Sequence, residues 1–226
     1  MAEPELRRQL VALARRLNTS GINQGTSGNL SVRIPGGMLI TPSSLPYEQM
    51  QPADLVALDL AGRPLQAAVA AELARRPSSE WRLHADILAS RPEIAAVLHC
   101  HSIHATALAC HGRPIPPFHY MVAAAGGDTI RCAPYATFGT AELSQLAVEA
   151  LQGRLACLLG QHGQVALGAS LDQALRIAIE VETLARMYLQ ALQLGEPLLL
   201  SAGQMAAVHH QFRSLLYGDG PGTDGG

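Results

Sequence analysis

The feature that most constrains the fold of this chain is an alternation of short apolar runs with longer amphipathic segments. Apolar residues recur at helical spacing near the start, at Leu6, Leu10, Leu13 and Leu17. Helices are predicted over residues 4–17, 77–90, 103–110, 140–151, 171–194 and 201–216, and strands over residues 32–34, 38–40, 55–60, 94–101, 156–159 and 165–167. Interleaved strands and helices predict an α/β sandwich, and the pattern leaves open whether the sheet is parallel or mixed.

Length and composition indicate one globular domain. The chain has 226 residues, of which 48% are hydrophobic and 15% are charged, and this balance is too apolar for a disordered chain. Residues 1–217 are expected to form a single domain, followed by a disordered glycine-rich tail over residues 218–226. A formal net charge of -2 argues against a nucleic-acid partner bound through phosphate charge.

The chain contains no lysine, since all 16 of its basic residues are arginine. Schiff-base chemistry needs a lysine amine, so a carbanion formed next to a substrate carbonyl would need another electron sink. The P-loop that binds nucleoside triphosphates also requires a lysine, and this class of site is therefore excluded.

The cysteines and the apolar runs predict a cytoplasmic protein with no membrane partner. Cys100, Cys110, Cys132 and Cys157 form no Cys-x-x-Cys pair and lie in apolar stretches, as reduced thiols do. The first ten residues carry acidic side chains and lack the apolar core of a signal peptide. No uncharged apolar run reaches the length of about 18 residues that a membrane span needs.

Nine histidines are present, and three of them lie in the string AAVLHCHSIH. Residues i and i+2 of a strand point to the same face, so His99 and His101 are expected to project together. Two imidazoles on one face supply part of a catalytic metal site. An isolated His-x-His is more often two unrelated polar residues at a strand end, so the motif needs support from elsewhere in the chain.

Two further residues strengthen the metal interpretation. His162 lies in a tight turn between two predicted strands, and Glu80 lies in the first turn of a predicted helix that Ser78 or Ser79 can cap. A third histidine and a carboxylate complete a four-group site in which Glu80 could leave the metal and act as a base. Alone, a histidine in a turn is usually solvated, and a glutamate in a first turn usually interacts with the helix dipole.

Other histidines have weaker claims to a functional role. His84 lies one helical turn after Glu80 and could support the site from behind. His209 and His210 are expected on a solvated helix surface.

Three segments rich in small polar residues could bind an anion. They are GTSGNLS (25–31), TPSS (41–44) and PSSE (77–80), and their candidate phosphate-binding residues are Thr26, Gly28, Asn29, Ser43, Ser44, Ser78 and Ser79. Backbone amides in glycine-rich turns and at helix N-termini bind phosphate without a lysine. Each segment alone is more commonly only a turn, so the prediction depends on their convergence.

Together, these segments resemble the class II aldolase/adducin family. The matching strings are GTSGNLSVR, GMLITPSSLPYE, PSSEWRLH, SRPEIAAVLHCHSIHATAL, IPPFHYMVAAAGGDTIRCAPYATFGT and QHGQVAL, which span most of the chain from residue 25. Their ordered combination is specific. The resemblance implies a single-domain α/β sandwich with a central, mostly antiparallel sheet and helices on both faces. It also implies a homotetramer with active sites between neighbouring subunits.

The resemblance implies roles for individual residues. His99, His101 and His162 would bind Zn²⁺, or another divalent ion such as Mn²⁺ or Co²⁺, and Glu80 would bind the free metal and act as acid and base. The aldehyde end of the site would be formed with Tyr120 in HYM, Phe138 in ATFGT and Tyr217 near the C-terminus. Two positions depart from the pattern: Ser44 stands where a glycine is expected, and Gln161 where a histidine is expected.

The implied activity is that of a zinc-dependent aldolase that cleaves a 1-phospho-ketose to dihydroxyacetone phosphate and an aldehyde. Candidate substrates are L-fuculose 1-phosphate and the related deoxy-pentulose and methylthioribulose 1-phosphates. A sugar-phosphate 4-epimerase or a dehydratase of the same family is an alternative, although the acid pair expected of the epimerase is not evident. A non-catalytic, adducin-like assembly module is an alternative of another class, and loss of the histidines would indicate it.

Overall fold

The computed structural model describes residues 2–65 and 75–217, with side chains as far as residue 214. The tail predicted to be disordered, residues 218–226, lies outside the described residues. Among the described residues, no helix is both long enough and apolar enough to cross a membrane.

Seven strands form one sheet in the order β3-β2-β1-β4-β7-β6-β5. The strands are β1 (Asn29–Ile34), β2 (Gly37–Ile40), β3 (Val56–Leu58), β4 (Ala96–Cys100), β5 (Arg131–Ala133), β6 (Ala156–Leu159) and β7 (Gly163–Gly168). All neighbouring pairs are antiparallel except β5 and β6, which run parallel. The expected mostly antiparallel sheet is therefore confirmed.

Helices cover both faces of the sheet, as expected. They are α1 (Glu3–Thr19), α2 (Trp81–Ser90), α3 (Ile103–Cys110), α4 (Ala141–Ala150), α5 (Leu171–Leu192) and α6 (Ala202–Tyr217), with 3-10 segments at Pro52–Asp54 and Tyr120–Ala125. The apolar sides of α1, α3 and α5 pack in one core with Leu30 and Leu98. Those of α2 and α4 pack in a second core with Val97 and Val165, on the other face.

The two-residue period of the strands decides which side chains reach the α2 and α4 face. In β4, Leu98 belongs to the first core and Val97 to the second, so His99 shares the face of Val97. Asn29 of β1 pairs with His99 across the antiparallel ladder. Polar residues of two neighbouring strands therefore emerge together beneath the start of α2.

The predicted start of α2 is wrong. The helix begins at Trp81 with Glu80 as the N-cap residue, rather than at residue 77 with a serine cap. The cause is tertiary pairing, because the backbone N–H of Ser78 donates to Thr41 O (3.0 Å) and Pro77 forms a β-bridge with Pro42. The segment before Glu80 is thereby drawn out of the helix and toward the TPSS loop.

The remaining helix boundaries agree closely with the sequence. Thr140 caps α4 by accepting from Leu143 N, and Ser201 and Gln204 form the reciprocal capping box predicted for α6. The prediction for His209 is wrong, because its Nε2 lies 2.7 Å from Asp128 Oδ1 and attaches α6 to the segment before β5. His210 is exposed, as predicted.

Candidate active site

Three histidines converge where β4 ends and the β6–β7 turn begins. The ring centroids of His99, His101 and His162 lie 4.7–4.9 Å apart in a near-equilateral triangle. Their potential ligand atoms all lie within 4.8 Å of one another, and the Nε2 atoms of His99 and His101 are 3.0 Å apart. This arrangement has the shape of a three-histidine site for one divalent ion.

The orientation of His99 is determined by hydrogen bonds behind it. Its Nδ1 lies 2.9 Å from the carbonyl oxygen of Gln164, which can only accept, so Nδ1 carries the proton and Nε2 keeps its lone pair. The Gln164 side chain is itself fixed, because Nε2 donates to Ser102 Oγ (2.7 Å) and to Ala178 O (3.1 Å). His99 is therefore held ready to coordinate an ion through Nε2.

Burial keeps all three rings neutral. Loss of solvent, followed by the neighbouring His101, lowers the pKa of His99 to about 3. Loss of solvent, with His99 next, lowers the pKa of His162 to about 4, and burial also lowers the pKa of His101. Neutral imidazole is the form that binds a metal, so the cluster is poised to take an ion near neutral pH.

Glu80 completes the cluster and gives the metal interpretation its sharpest support. Its side chain is buried, with Oε2 3.3 Å from His99 Nε2 and Oε1 3.5 Å from His162 Nε2. Oε2 accepts a hydrogen bond from Asn29 Nδ2 at 2.9 Å. Oε1 is buried and has no hydrogen-bond partner among the described residues. A buried carboxylate oxygen needs a partner, and a cation between Glu80 and the histidines would satisfy it.

The cluster opens into a cavity of about 430 Å³. The three predicted anion-binding segments converge there, since Thr26, Gly28, Asn29, Ser43, Ser44, Ser78 and Ser79 all line the cavity, together with Glu80, His101, His162 and Phe138. His99 lies behind this wall and is fully buried. The convergence joins the candidate metal centre to a rim of hydroxyl and amide donors.

Two glycines allow the close approach of chains around the site. A Cβ on Gly28 would lie 2.6 Å from Asn23 Oδ1 and 2.9 Å from His99 O. A Cβ on Gly163 would lie 2.5 Å from Cys100 O and 2.9 Å from His101 Cδ2. Any larger residue at either position would displace the strands that carry the histidines.

Two non-glycine residues of the cavity hold left-handed backbone conformations. Ser44 has φ of 59° and Gln161 has φ of 55°. Such conformations cost free energy for residues with a Cβ and concentrate at functional sites. Ser44 therefore retains the backbone conformation that suits the glycine expected at its position.

Comparison with known proteins decides the family. The family model described as class II aldolase and adducin N-terminal domain matches residues 8–189. The chain belongs to this family. A 5-methylthioribulose-1-phosphate/5-deoxyribulose-1-phosphate aldolase of Rhodospirillum rubrum is 51% identical over 95% of this chain and 93% of its own length. An L-fuculose phosphate aldolase of Escherichia coli O6:H1 is 45% identical over 95% and 97%.

The fold comparison agrees with the family. A solved L-fuculose 1-phosphate aldolase superposes with a TM-score of 0.88 at 37% identity, covering 94% of this chain and 98% of that one. The chain is thus a class II aldolase, an enzyme class that depends on a divalent metal, and the expected resemblance is confirmed. The donor set of three neutral histidines and a carboxylate fits such an ion.

The aldolase site contains residues that the sequence did not single out. Ser27, Pro42, Tyr135, Ala136 and Gln161 also line the cavity. Ser27 and Tyr135 lie inside strings that carried the resemblance, GTSGNLS and YATFGT, but spacing alone does not distinguish them from their neighbours. Gln161 is brought to the cavity by the left-handed turn that also presents His162.

Two of the predicted aldehyde-end residues lie away from this chain's cavity or outside the described side chains. Tyr120 is half-exposed, and its ring packs near His119 and Phe212 of α6, with centroids 4.8 and 6.5 Å away. It is not among the described residues that line the cavity. Tyr217 ends α6, and its side chain lies outside the described part. Phe138 lines the cavity and is 63% exposed.

Proposed function

We propose that this aldolase reversibly cleaves a ketose 1-phosphate between C3 and C4 into dihydroxyacetone phosphate and a short aldehyde. The observation that carries the proposal is Glu80, whose unpartnered Oε1 lies 3.5 Å from His162 Nε2 in a cavity rimmed by serine and glycine loops. A base beside a candidate metal site and an anion-binding rim suits carbanion chemistry on a phosphorylated ketone. The names of the relatives support the same substrate class.

The rim formed by the three loops would hold the phosphate. Its exposed hydroxyls include Ser43, Ser44 and Ser79, which lie at the loops before α2. Within the part of the chain that the structure describes, no arginine lines the cavity. We therefore assign phosphate binding to neutral hydroxyl and amide donors and to the N-terminus of α2. Binding energy at this remote end would orient the reacting carbons.

Glu80 would move the proton at C3. In the cleavage direction the C3–C4 bond breaks, its electron pair remains on C3, and protonated Glu80 delivers a proton there. In synthesis the ionised carboxylate removes that proton. Because Asn29 Nδ2 holds Oε2, we assign the transfer to Oε1. When bound by His99, His101 and His162, a divalent ion, which we take to be Zn²⁺, supplies a Lewis acid that stabilises negative charge on the C2 and C3 oxygens.

The aldehyde end supports an apolar substituent on the ketose. Tyr135, Ala136 and Phe138 present ring and methyl surface to the cavity. We therefore propose a 5-deoxy- or 5-methylthio-pentulose 1-phosphate as the preferred substrate, in line with the relative of 51% identity. L-fuculose 1-phosphate is the second candidate because the relatives named for it reach 45% identity. Its aldehyde fragment keeps a hydroxyl group, which needs a polar partner.

We propose a cytoplasmic homotetramer whose active sites are shared between subunits. Tyr120 is half-exposed and outside its own cavity, so a role at the aldehyde oxygen requires the cavity of a neighbouring subunit. Tyr217, which follows on the helix that contacts Tyr120, would close over the same site. The four free cysteines agree with a reducing compartment.

The alternative activities lack a residue to support them. A 4-epimerase needs further acid groups at the aldehyde end, and Glu80 is the only acid among the described residues that line the cavity. An adducin-like assembly module has no use for a buried, unpartnered carboxylate beside three histidines. A dehydratase would use the same cavity but release no aldehyde.

Product identification would test the proposal. Purified, metal-loaded protein would be incubated with dihydroxyacetone phosphate and, separately, acetaldehyde, methylthioacetaldehyde and lactaldehyde. We expect ketose 1-phosphates, formed fastest from the first two aldehydes. Faster synthesis from lactaldehyde would overturn the preference for an apolar end. Absence of any ketose phosphate, with 4-epimers or dehydrated products from the ketose phosphates themselves, would overturn the aldolase assignment.

A further inference from the structure

A row of four buried polar side chains runs from the sheet to Glu80. Ser31 Oγ lies 2.7 Å from His84 Nδ1, and His84 Nε2 lies 2.5 Å from Asn29 Oδ1. Asn29 Nδ2 lies 2.9 Å from Glu80 Oε2. All four residues are buried, so solvent does not replace any of these partners.

Chemistry fixes the direction of every hydrogen bond in the row. The Glu80 carboxylate can only accept, so Asn29 must donate from Nδ2 and turn Oδ1 toward His84. Asn29 Oδ1 can only accept, so His84 carries its proton on Nε2. The free Nδ1 of His84 then accepts from the Ser31 hydroxyl. Burial lowers the pKa of His84 to about 3, so the ring is neutral and has one proton to place.

The reverse orientation of Asn29 is forbidden while His84 keeps this tautomer. A rotated amide would turn Oδ1 toward the Glu80 carboxylate and Nδ2 toward the Nε2–H of His84, and both contacts would be repulsive. With the amide fixed, Oε2 is the bound oxygen of Glu80 and Oε1 is the one left free. The side chain of Asn29 is thus engaged at both ends, so its contact with a phosphate would have to come from the backbone.

We propose that His84 is a positioning residue, which holds Asn29 so that Glu80 presents Oε1 to the substrate. Ser31 completes the device by selecting the tautomer of His84. This inference rests on the proposed function, because it gives Glu80 the role of moving the C3 proton. Nothing in the row contacts substrate except through Asn29 and Glu80, so His84 acts only through them.

Two variants of matched chemistry separate positioning from packing. The amide nitrogen of Gln reaches the position of a histidine Nε2, whereas that of Asn reaches only the position of Nδ1. We expect His84→Asn to lower kcat for C3 proton exchange on dihydroxyacetone phosphate by about 10–100-fold, the usual cost of losing such a supporting partner. KM and metal content should stay unchanged, and His84→Gln should recover most of the activity. Equal losses in both variants, or a change confined to KM, would overturn the proposal.

A double-mutant cycle shows whether His84 acts through Glu80. In a Glu80→Gln background, His84→Asn should cost nothing further, because the residue it positions has already lost its function. Additive losses would contradict the proposal. If both His84 variants fail to fold, Ser31→Ala provides the same test with the ring retained, and full activity in that variant would overturn the role of the tautomer.

The hydrogen-bond row has a readout that does not depend on activity. In ¹⁵N NMR of histidine-labelled wild-type protein, His84 should carry its proton on Nε2 and none on Nδ1, with the resonance assigned by its loss in His84→Gln. A proton on Nδ1 would overturn the inference even in an active enzyme. If the wild-type protein cleaves no ketose phosphate, the proposed function fails, and the His84 tautomer still decides the row.

Discussion

Glu80 carries two carboxylate oxygens with different surroundings. Oε2 has Asn29 as a donor, whereas Oε1 has no partner among the described residues and points between the histidines. A group that must both bind and release a proton needs one oxygen held and one free. The asymmetry explains why a single buried acid can act on C3 without losing its orientation.

Replacing Glu80 by glutamine should separate binding from proton transfer. Glu80→Gln keeps the size and the hydrogen-bonding reach of the side chain, so metal content and KM for dihydroxyacetone phosphate should change little. Exchange of the C3 proton with deuterated water, followed by NMR, should fall by about 10²–10⁴-fold. The exposed Glu142 of α4 supplies the control, and Glu142→Gln should exchange normally. Near-normal exchange in Glu80→Gln would contradict the assignment.

The histidine cluster should determine metal content. His101→Ala removes one of three imidazoles and should release most of the bound ion, measured as metal per chain after dialysis. Ion binding at about 100 times its Kd adds about 2.7 kcal/mol to the free energy of unfolding, so chelation should lower Tm in the wild type and hardly in the variant. The exposed His111 is the control, and His111→Ala should keep its metal. Full metal content in His101→Ala would rule out this site.

Local spacing made part of the site predictable and left another part out of reach. His99 and His101 are two residues apart on one strand, so the period of a strand alone brings them together. Asn29 and His84 lie 55 residues apart, on β1 and α2, and meet only because tertiary packing sets α2 over that strand. Tyr135 and Gln161 reach the cavity through loop geometry, which leaves no periodic signal.

At the level of elements, the start of β1 carries the tightest constraint. Gly28 precedes β1 and lies against Asn23 and the His99 carbonyl. Gly28→Ala should lower the free energy of unfolding by about 1–3 kcal/mol, the usual cost of overpacking, and should weaken metal binding by displacing His99. Urea unfolding and metal analysis measure the two effects.

Gly203 provides the matched comparison for that variant. It lies in α6, and a Cβ there would meet only Ser201 Oγ at 4.0 Å. Gly203→Ala should therefore raise the free energy of unfolding by about 0.5–1 kcal/mol, because alanine favours the helix. Equal destabilisation by the two substitutions would show that the close contact at Gly28 is not the cause.

Most elements follow from sequence because their signals are local. The caps of α4 and α6 were readable from Thr140 and from Ser201 with Gln204. The start of α2 was not, because Ser78 pairs with Thr41, a residue far along the chain. Residues 77–79 have helical composition but an extended role, and only the fold resolves that conflict.

At the scale of the molecule, the topology depends on pairings that no window of sequence contains. β5 and β6 are parallel although every other neighbouring pair is antiparallel, and α4 makes the crossover between them. The family resemblance, rather than periodicity, predicted the mostly antiparallel sheet. The topology matters for function because it carries Ala136 and Phe138, which follow β5, to the same cavity as the histidines of β4 and the β6–β7 turn.

Sharing of the active site between subunits makes a prediction that no single-chain site can meet. Glu80 lies in the cavity, whereas Tyr120 is half-exposed beside α6 and outside that cavity. Glu80→Gln and Tyr120→Ala should each impair cleavage when assembled alone. Random mixing of the two chains should restore about a quarter of the sites, those that combine an intact Glu80 with an intact Tyr120 from the neighbour.

The control for this mixing experiment is a pair of defects in one cavity. Glu80→Gln mixed with His101→Ala should regain nothing, because both residues belong to the cavity of the same chain and every site keeps one defect. Tyr120→Ala alone should retain C3 proton exchange, which needs no aldehyde contact. Cleavage would be measured after co-expression and purification of mixed assemblies carrying two different tags. If those assemblies regained no activity, Tyr120 would not act in a neighbouring cavity, and the proposed sharing of the site would be wrong.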